Sequence, residues 1–239
     1  MFKIKNRHEL DMLNGSIWDK ILIFALPLAL TGVMQQLLNA ADVAILGQFV
    51  GKNAMAAVGN NTALIGLLVN LFMGLSLGAN VIIAQNIGAR KFERIHDAVY
   101  SAFMMALVVG IGLCAVAQIL VNPIFELLEV PESVAPMAEI YFRIYAFGLP
   151  LMGIYNFEAA IFRSRGDTQT PLIALTVASF LNIGLNLLFV LAFNFGVEGV
   201  AWATVIANGV SALILYRALR QSAQLIRLDF EESELDKDC

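Results

Sequence analysis

Asp42 is the only acidic residue between Asp19 and Glu93, and it lies near the end of an apolar run, residues 21–50. A run of this length is long enough to cross a bilayer. A carboxylate inside such a span costs roughly 2.5 to 3.5 kcal/mol on insertion scales, so it usually faces a cavity or a partner and serves a function. Asp42 therefore predicts a site concerned with moving a solute across a membrane.

Polar side chains recur at helical spacing in four of the apolar runs. Gln35, Asn39 and Asp42 fall at i, i+4 and i+7, which places them on one face of a helix. Three later sets are Asn60, Asn61 and Asn70; Ser179, Asn182 and Asn186; and Thr204, Asn208 and Ser211. Several helices thus have a polar side in an otherwise apolar chain.

Depth along the helices suggests which of these groups meet. If the N-terminus is cytoplasmic, Asp42 lies ~39 Å along its helix from Ser16, in the outer half of the bilayer. Asn186 lies about 15 residues into an outward-running span, whereas Asn60 and Thr204 lie early in inward-running ones. We therefore expect these four side chains to lie close together in one bundle.

A carboxylate among amide and hydroxyl oxygens has two natural occupants, a proton or a hard monovalent cation such as Na⁺. Either one neutralises the charge and changes which helix packing is preferred, and this is a means of coupling an ion gradient to a conformational change. The alternative is that isolated Asn, Ser and Thr groups only join helices through hydrogen bonds, as in a membrane scaffold or assembly subunit. Glu158, beside Asn156, is expected to pair with Arg163 or to be solvated.

The composition is that of a membrane protein, with 59% hydrophobic and 14% charged residues and a mean hydropathy of +0.76. The net charge of −4 does not indicate nucleic acid as a partner, because six of the nineteen acids crowd the last eleven residues. Cys114 and Cys239 form no disulfide or zinc pattern. No nucleophile elbow, HExxH, P-loop or paired catalytic carboxylates occur, so we expect no enzyme, no catalytic residue, no cofactor and no metal beyond Na⁺ at Asp42.

Apolar runs and turn signals predict an all-α membrane protein with a six-transmembrane-helix bundle. The expected spans are residues 16–47, 53–89, 93–121, 134–162, 172–193 and 200–219. Ser16 and Asp19 have the spacing of a capping box at the start of the first span. Residues 1–15 are then an N-terminal segment, residues 16–220 the six-helix lobe and residues 221–239 an acidic tail.

Basic residues predict the orientation. If the N-terminus is cytoplasmic, thirteen of the fifteen Lys and Arg residues fall on the inside, and only Lys52 and Arg143 do not. This asymmetry is the positive-inside pattern. Both termini are therefore expected in the cytoplasm, in a multi-pass protein of a cell inner or plasma membrane.

Three segments resemble the MATE family of multidrug and toxin extrusion transporters. They are F-A-L-P-L-A-L-T-G-V-M-Q-Q-L-L-N-A-A-D (residues 24–42), G-L-S-L-G-A-N-V-I-I-A-Q-N-I-G-A (residues 74–89), and the turn R-S-R-G-D-T-Q-T-P (residues 163–171) followed by the span that contains Asn182. The resemblance implies an antiporter that expels organic cations and amphipathic drugs in exchange for Na⁺ or H⁺. It also implies two six-helix lobes around a central cleft.

The resemblance assigns roles to individual residues. Asp42 matches the acidic residue of the family's first helix, and Asn182 and Asn186 match a polar pair on the fifth. Thr204 resembles a hydroxyl on the sixth helix, and Asn156 an amide on the fourth. The expected ion-coupling set is Asp42, Asn182, Asn186 and Thr204, and the expected cavity-lining set is Gln35, Asn39, Asn60, Asn156 and Asn208.

Two departures from the family qualify this reading. Some members carry Asp where this chain has Asn186, so Asp42 is left as the sole titrating group of the cluster. The resemblance also covers the N-terminal lobe only, so the chain is a truncated form, a fragment whose residues 221–239 begin an inter-lobe linker, or a half-transporter that pairs with a second lobe or with itself. A flippase for lipid-linked precursors is a further alternative, but it would need basic residues for pyrophosphate, and Arg143 is the only clear cation within the spans.

Overall fold

The chain is almost entirely helical in the computed structural model, which describes residues 17–221. The helices are α1 (Ile17–Phe49), α2 (Lys52–Gly88), α3 (Phe92–Leu127), α4 (Ala135–Phe147), α5 (Leu149–Ser164), α6 (Gln169–Leu187) and α7 (Val197–Gln221). A π-helical segment, Leu188–Ala192, follows α6 directly. The predicted segment 1–15, the cap at Ser16 and nearly all of the predicted tail lie outside the described residues.

These seven helices provide five candidate membrane spans, or six when α4 and α5 are counted together as one. Five are long and apolar enough to cross a bilayer, and α4 with α5 forms one further span that is bent by 48°. The bend lies at Gly148, two residues before Pro150, whose ring nitrogen cannot donate to the carbonyl of Ala146. The predicted all-α bundle of six spans is confirmed.

The third span is longer than predicted. We expected a loop from Asn122, because Pro123 follows it, but α3 continues through Pro123 to Leu127. Phe125 is buried, and its ring packs edge-on against that of Phe142 in α4, with the centroids 6.0 Å apart. This packing holds the last turns in helical form despite the proline, so the predicted helix end was wrong.

One end of the bundle carries the turn between α1 and α2. Gly51 has a φ of 129°, which favours glycine there. The turn between α6 and α7 lies beside it, since a Cβ at Gly196 would be 3.7 Å from Cγ1 of Val50. We call this the Gly51 end.

The opposite end carries the loop between α5 and α6. Gly166, with a φ of 80°, donates its N–H to the carbonyl of Arg163 at 2.9 Å and so ends α5. The Asp167 carboxylate then accepts the N–H groups of Gln169 and Thr170 at 3.1 and 2.9 Å, capping α6. These contacts separate α5 from α6 within the turn of residues 163–171, and we call this the Gly166 end.

Two clusters of buried side chains form the core. The larger one, which includes Leu46, Phe72 and Phe142, extends toward the Gly51 end. The smaller one, which includes Ile83, Ile95 and Leu215, lies toward the Gly166 end. The site described below lies where α1 crosses the faces of α6 and α7.

Close packing of α3 on the bend makes a testable prediction. A Cβ at Gly110 would lie 2.6 Å from Cα of Pro150, whereas Gly112 has nothing within 4 Å. We expect Gly110→Ala to lower the unfolding temperature in detergent, because overpacking costs about 1–3 kcal/mol. Gly112→Ala, the matched control, should keep or raise it through better helix propensity. Equal unfolding temperatures for the two variants would contradict this packing.

Candidate functional site

A cavity of about 290 Å³ opens on one side of the bundle. Its walls come from α1, α2, α5, α6 and α7, with Tyr145 of α4. The polar side chains that line it are Gln35, Gln36, Asn39, Asp42, Thr62, Asn70, Asn156, Asn182, Thr204 and Asn208. Each comes from a helix that is apolar elsewhere, so the polar stripes predicted from the sequence converge here.

Asp42 lies in the wall of this cavity and is only 3% exposed. Nδ2 of Asn186 donates to its Oδ1 at 2.6 Å, and Oγ1 of Thr204 donates to its Oδ2 at 3.2 Å. These donors belong to α6 and α7, so the carboxylate of α1 is tied to two other helices. An ionised carboxylate buried without partners would be costly, and these two hydrogen bonds offset part of that cost for Asp42.

Asn182 completes the group, and its carboxamide fits in two orientations. In one, Nδ2 donates to Oγ1 of Thr204 at 3.2 Å, and Oδ1 accepts from Asn186 at 3.1 Å. In the other, its nitrogen lies 3.0 Å from Oδ1 of Asp42 and its oxygen accepts from Oγ1 of Thr204 at 3.2 Å. The second orientation suits a charged Asp42 better, because the first places Oδ1 of Asn182 against another acceptor.

The resulting cluster is rich in oxygen. It holds both oxygens of Asp42, the amide oxygens of Asn182 and Asn186, and Oγ1 of Thr204. Oδ1 of Asn186 is buried and has no hydrogen-bond partner among the described residues. Carboxylate, amide and hydroxyl oxygens are the ligands that hard cations prefer, and a carboxylate is also able to take a proton.

Four of the five predicted cavity-lining residues, Gln35, Asn39, Asn156 and Asn208, do line the cavity. Asn156 is 3% exposed, and its Nδ2 donates to the carbonyl of Met152 at 2.8 Å.

Asn60 was predicted to line the cavity, and the structure places it elsewhere. Its side chain is exposed and does not line the cavity. Its neighbour Asn61 is fully buried, and Nδ2 of Asn61 donates to the carbonyls of Ala138 at 2.9 Å and Ala57 at 3.0 Å. Successive helical positions differ by ~100°, so only one of two adjacent asparagines can face the interior, and here it joins α2 to α4.

Several lining residues were not singled out from the sequence. Tyr145 and Tyr155 lie on either side of the bend, and Gln36 and Thr62 lie beside residues of the polar stripes. Asn70 belonged to a predicted stripe, although it was not assigned to the cavity. Tyrosines within apolar spans give only a weak signal, because an aromatic ring is as common in a core as in a binding cavity.

Arg143, the one cation far from the ends of a predicted span, lies outside the cavity. It forms an ion pair with Glu139 at 2.7 Å, and its guanidinium also donates to the carbonyl of Gln118 at 3.1 Å and to Oδ1 of Asn122 at 3.0 Å. These contacts join α4 to α3. Among the described residues, the cavity lining includes no Lys or Arg, so Asp42 is its only formally charged group.

Glu158 differs from its expected setting. It is 0% exposed, and neither carboxylate oxygen has a hydrogen-bond partner among the described residues. The expectation of an Arg163 partner or a solvated position was therefore wrong. A buried acid without a partner is unusual, because its ionised form is costly away from water.

Comparison with known proteins agrees with this architecture. Residues 27–188 match the MatE family model. The chain is 30% identical over 218 residues to the probable multidrug resistance protein YoeA of Bacillus subtilis, which covers 90% of this chain and 47% of that protein. It is 32% identical to the probable multidrug resistance protein NorM of Thermotoga maritima, over 83% of this chain and 44% of that protein.

A solved structure extends the comparison to the fold. The outward-facing conformation of a multidrug resistance MATE family transporter of the MOP superfamily superposes with a TM-score of 0.83 at 25% identity, covering 91% of this chain and 48% of that one. The chain thus spans about half the length of the curated relatives and solved structure it matches. The family match extends over more than half of the 239 residues, and the chain belongs to the MatE family of membrane proteins.

Proposed function

We propose that this chain forms one lobe of a secondary transporter that exports organic cations or amphipathic drugs in exchange for Na⁺ or H⁺. The observation that carries the proposal is Asp42, which is buried in the cavity wall and held by Asn186 and Thr204 from two other helices. A carboxylate buried in a cavity wall has a negative charge that a cation or a proton can neutralise, whereas a purely structural contact would not need an acid. The names of relatives such as YoeA support the choice of drugs as cargo.

The cavity suits a cargo that is cationic or neutral and partly apolar. Its lining combines amides and tyrosines with aliphatic groups such as Leu38, Ile65 and Val69. The one charged group is negative, so it attracts cations. A pyrophosphate-bearing lipid would meet no basic side chain among the described lining residues, and this counts against the flippase alternative.

Both candidate ions suit the Asp42 cluster, for different reasons. Na⁺ would use the oxygens of Asp42 and the unpartnered Oδ1 of Asn186. A proton is favoured by the position of Oγ1 of Thr204, which lies 3.2 Å from Asp42 Oδ2 and 3.0 Å from the carbonyl of Val200. The hydroxyl has only one hydrogen, which it can donate to the Val200 carbonyl. It then bonds to Asp42 as an acceptor, provided that Asp42 is protonated and donates.

Ion binding would act on the packing of α1. With Asp42 charged, the donors from α6 and α7 hold α1 against them; with a cation or proton bound, the electrostatic part of that attraction is reduced. A ligand shifts a conformational equilibrium only through its different affinity for the two states. Ion and cargo would compete for the cavity wall that contains Asp42. Binding of one would therefore favour release of the other, and the two would move in opposite directions.

Transport would require a second wall for the cavity. The open side is bordered by exposed parts of α1 and α2. A Cβ added at Gly32, Gly66 or Gly74 there would have no other atom within 4 Å. A second six-helix lobe fits this side, supplied by a longer form of the chain, by another chain, or by a second copy. The excess of basic residues at the Gly166 end supports an orientation with that end, and both termini, in the cytoplasm.

Transport of ethidium by cells tests the proposal. The chain is expressed alone and together with a second lobe, and ethidium efflux is followed while the Na⁺ or the H⁺ gradient is collapsed separately. We expect efflux with the second lobe present and its loss when the coupling-ion gradient is removed. Efflux by the chain alone would mean that a second copy completes the cavity. Absence of efflux in both cases, with both lobes folded in the membrane, would favour the scaffold alternative.

A further inference from the structure

Glu158 of α5 is enclosed on all sides within the lobe. Its side chain is 0% exposed, so it contacts neither water nor lipid, and its two oxygens have no hydrogen-bond donor among the described residues. An ionised carboxylate in such surroundings is far more costly than a neutral carboxyl. The surroundings therefore require the neutral, protonated form.

This carboxyl is not part of the Asp42 cavity. Glu158 does not line that cavity, whereas Asn156, two residues earlier on α5, does. Two residues correspond to a rotation of ~200° about a helix. Glu158 therefore points away from Asn156, and it lies on α5 beside the cavity-lining face rather than on it.

Packing contacts identify the neighbours of the face of α5 that carries Glu158. Leu151, seven residues before Glu158 and on the same face, meets Gly209 of α7, where a Cβ would lie 3.3 Å from Cδ1 of Leu151. On an adjacent face, Pro150 meets Gly110 of α3. Glu158 thus lies two turns further toward the Gly166 end, between α3 and α7.

Aromatic rings mark the same level of the bundle. Phe103 of α3 and Tyr216 of α7 have ring centroids 6.4 Å apart, so side chains of these two helices approach each other there. The buried residues Ala159 and Leu215, on α5 and α7, belong to one apolar cluster in this region. The carboxyl is therefore held in a dry contact between helices.

Other titratable or charged groups occur on the helices around Glu158, but none bonds to it. Among the described side chains toward the Gly166 end, those on α3, α5 and α7 are Arg94, His96, Asp97, Tyr100, Tyr155, Arg163, Tyr216, Arg217 and Arg220. The remaining neighbours contribute little, since α6 has no charged residue, Lys52 of α2 lies at the Gly51 end, and Glu139 and Arg143 of α4 pair with each other.

We propose that Glu158 is a second proton-binding site of the lobe, separate from the Asp42 cluster, which holds its proton while α5 is packed between α3 and α7. Loss of the proton leaves a carboxylate without a partner, so α5 must move away from α3 and α7 until water reaches it. Binding of a proton from water restores the neutral carboxyl and the packed arrangement. Packing at the Gly166 end thereby becomes dependent on pH.

Infrared spectroscopy of the purified full chain tests for this proton directly. In an Asp42→Asn background, which removes the carboxyl of the cavity, we expect a carbonyl band of a protonated carboxylic acid at neutral pH. Glu158→Gln should abolish that band. Glu139→Gln, which removes an acid that is paired with Arg143, should leave it unchanged. Absence of any band sensitive to Glu158→Gln at neutral pH would overturn the proposal.

Thermal unfolding gives a second measurement. The folded chain keeps a proton on Glu158 that the unfolded chain releases, so stability should fall as pH rises above about 4.3, the ordinary pKa of glutamate. Glu158→Gln should reduce this decline, whereas Glu139→Gln should not. If Glu158→Gln folds poorly, Glu158→Leu supplies the same comparison, because an apolar side chain suits a dry site. An unchanged decline in whichever variant folds would count against the proposal.

Discussion

Replacing Asp42 by Asn is expected to lower ion-driven efflux at least a hundredfold in a transporter assembled with a second lobe. Asparagine has nearly the same shape, but it binds no proton and attracts a cation far less. Two unit charges 4 Å apart interact by ~4 kcal/mol at an effective dielectric constant of about 20, and a factor of 100 needs only about 2.8 kcal/mol. The measurement is the initial rate of ethidium efflux from vesicles under an imposed Na⁺ or H⁺ gradient.

A matched acid outside the cavity provides the control. Glu126, in the last turn of α3, is exposed and does not line the cavity, so Glu126→Gln should transport normally. The amount of folded Asp42→Asn protein in the membrane should equal that of the parent, because the asparagine still accepts hydrogen bonds. Coupled efflux at the normal rate in Asp42→Asn would remove Asp42 from the mechanism.

The second large effect is expected from Asn186→Asp. Nδ2 of Asn186 lies 2.6 Å from Oδ1 of Asp42, so the variant places two carboxyl groups within hydrogen-bonding distance. Two carboxylates this close share a proton, because both cannot ionise. We expect the purified chain to bind up to one more proton above neutral pH than the parent does, because the shared proton of the pair is released only at a higher pH. We also expect efflux to depend at least tenfold more on the H⁺ gradient than on the Na⁺ gradient.

Potentiometric titration of the purified protein, with and without Na⁺, measures the first effect. Asn182→Asp is the informative comparison, since Asn182 lies one helical turn away and its nitrogen approaches Asp42 in only one carboxamide orientation. A smaller proton uptake is expected there. If Asn186→Asp takes up no additional proton, the short contact between residues 42 and 186 does not describe the functional site.

Much of the fold was predictable because membrane spans depend on simple properties. Apolar runs of sufficient length must be helical in lipid, and the turn signals around Gly166 and Asp167 were strong. The converging stripes were also predictable, since Asp42, Asn186 and Thr204 occupy matching depths in their spans. Their part in ion coupling stays a prediction.

The errors share one cause, which is that side-chain packing between helices is not visible in one sequence. Asn60 and Asn61 are equivalent in type, and only the contact of Asn61 with the Ala138 carbonyl shows which one turns inward. Pro123 predicted a helix end, but burial of Phe125 against Phe142 maintained the helix. Glu158 was expected to find Arg163 because of nearness along the chain, whereas the fold encloses it between other helices.

The shallow embedding of α1 has a consequence for motion. Only 11% of its most apolar stretch is buried within the lobe, against 50% for α7. A helix of 33 residues is ~50 Å long, and the bonds from Asp42 to α6 and α7 are among its few polar attachments. Binding of a single ion at one carboxylate is thus expected to decide whether α1 stays packed on α6 and α7 or moves away from them. An event of atomic size would then displace a helix as long as the bilayer is thick.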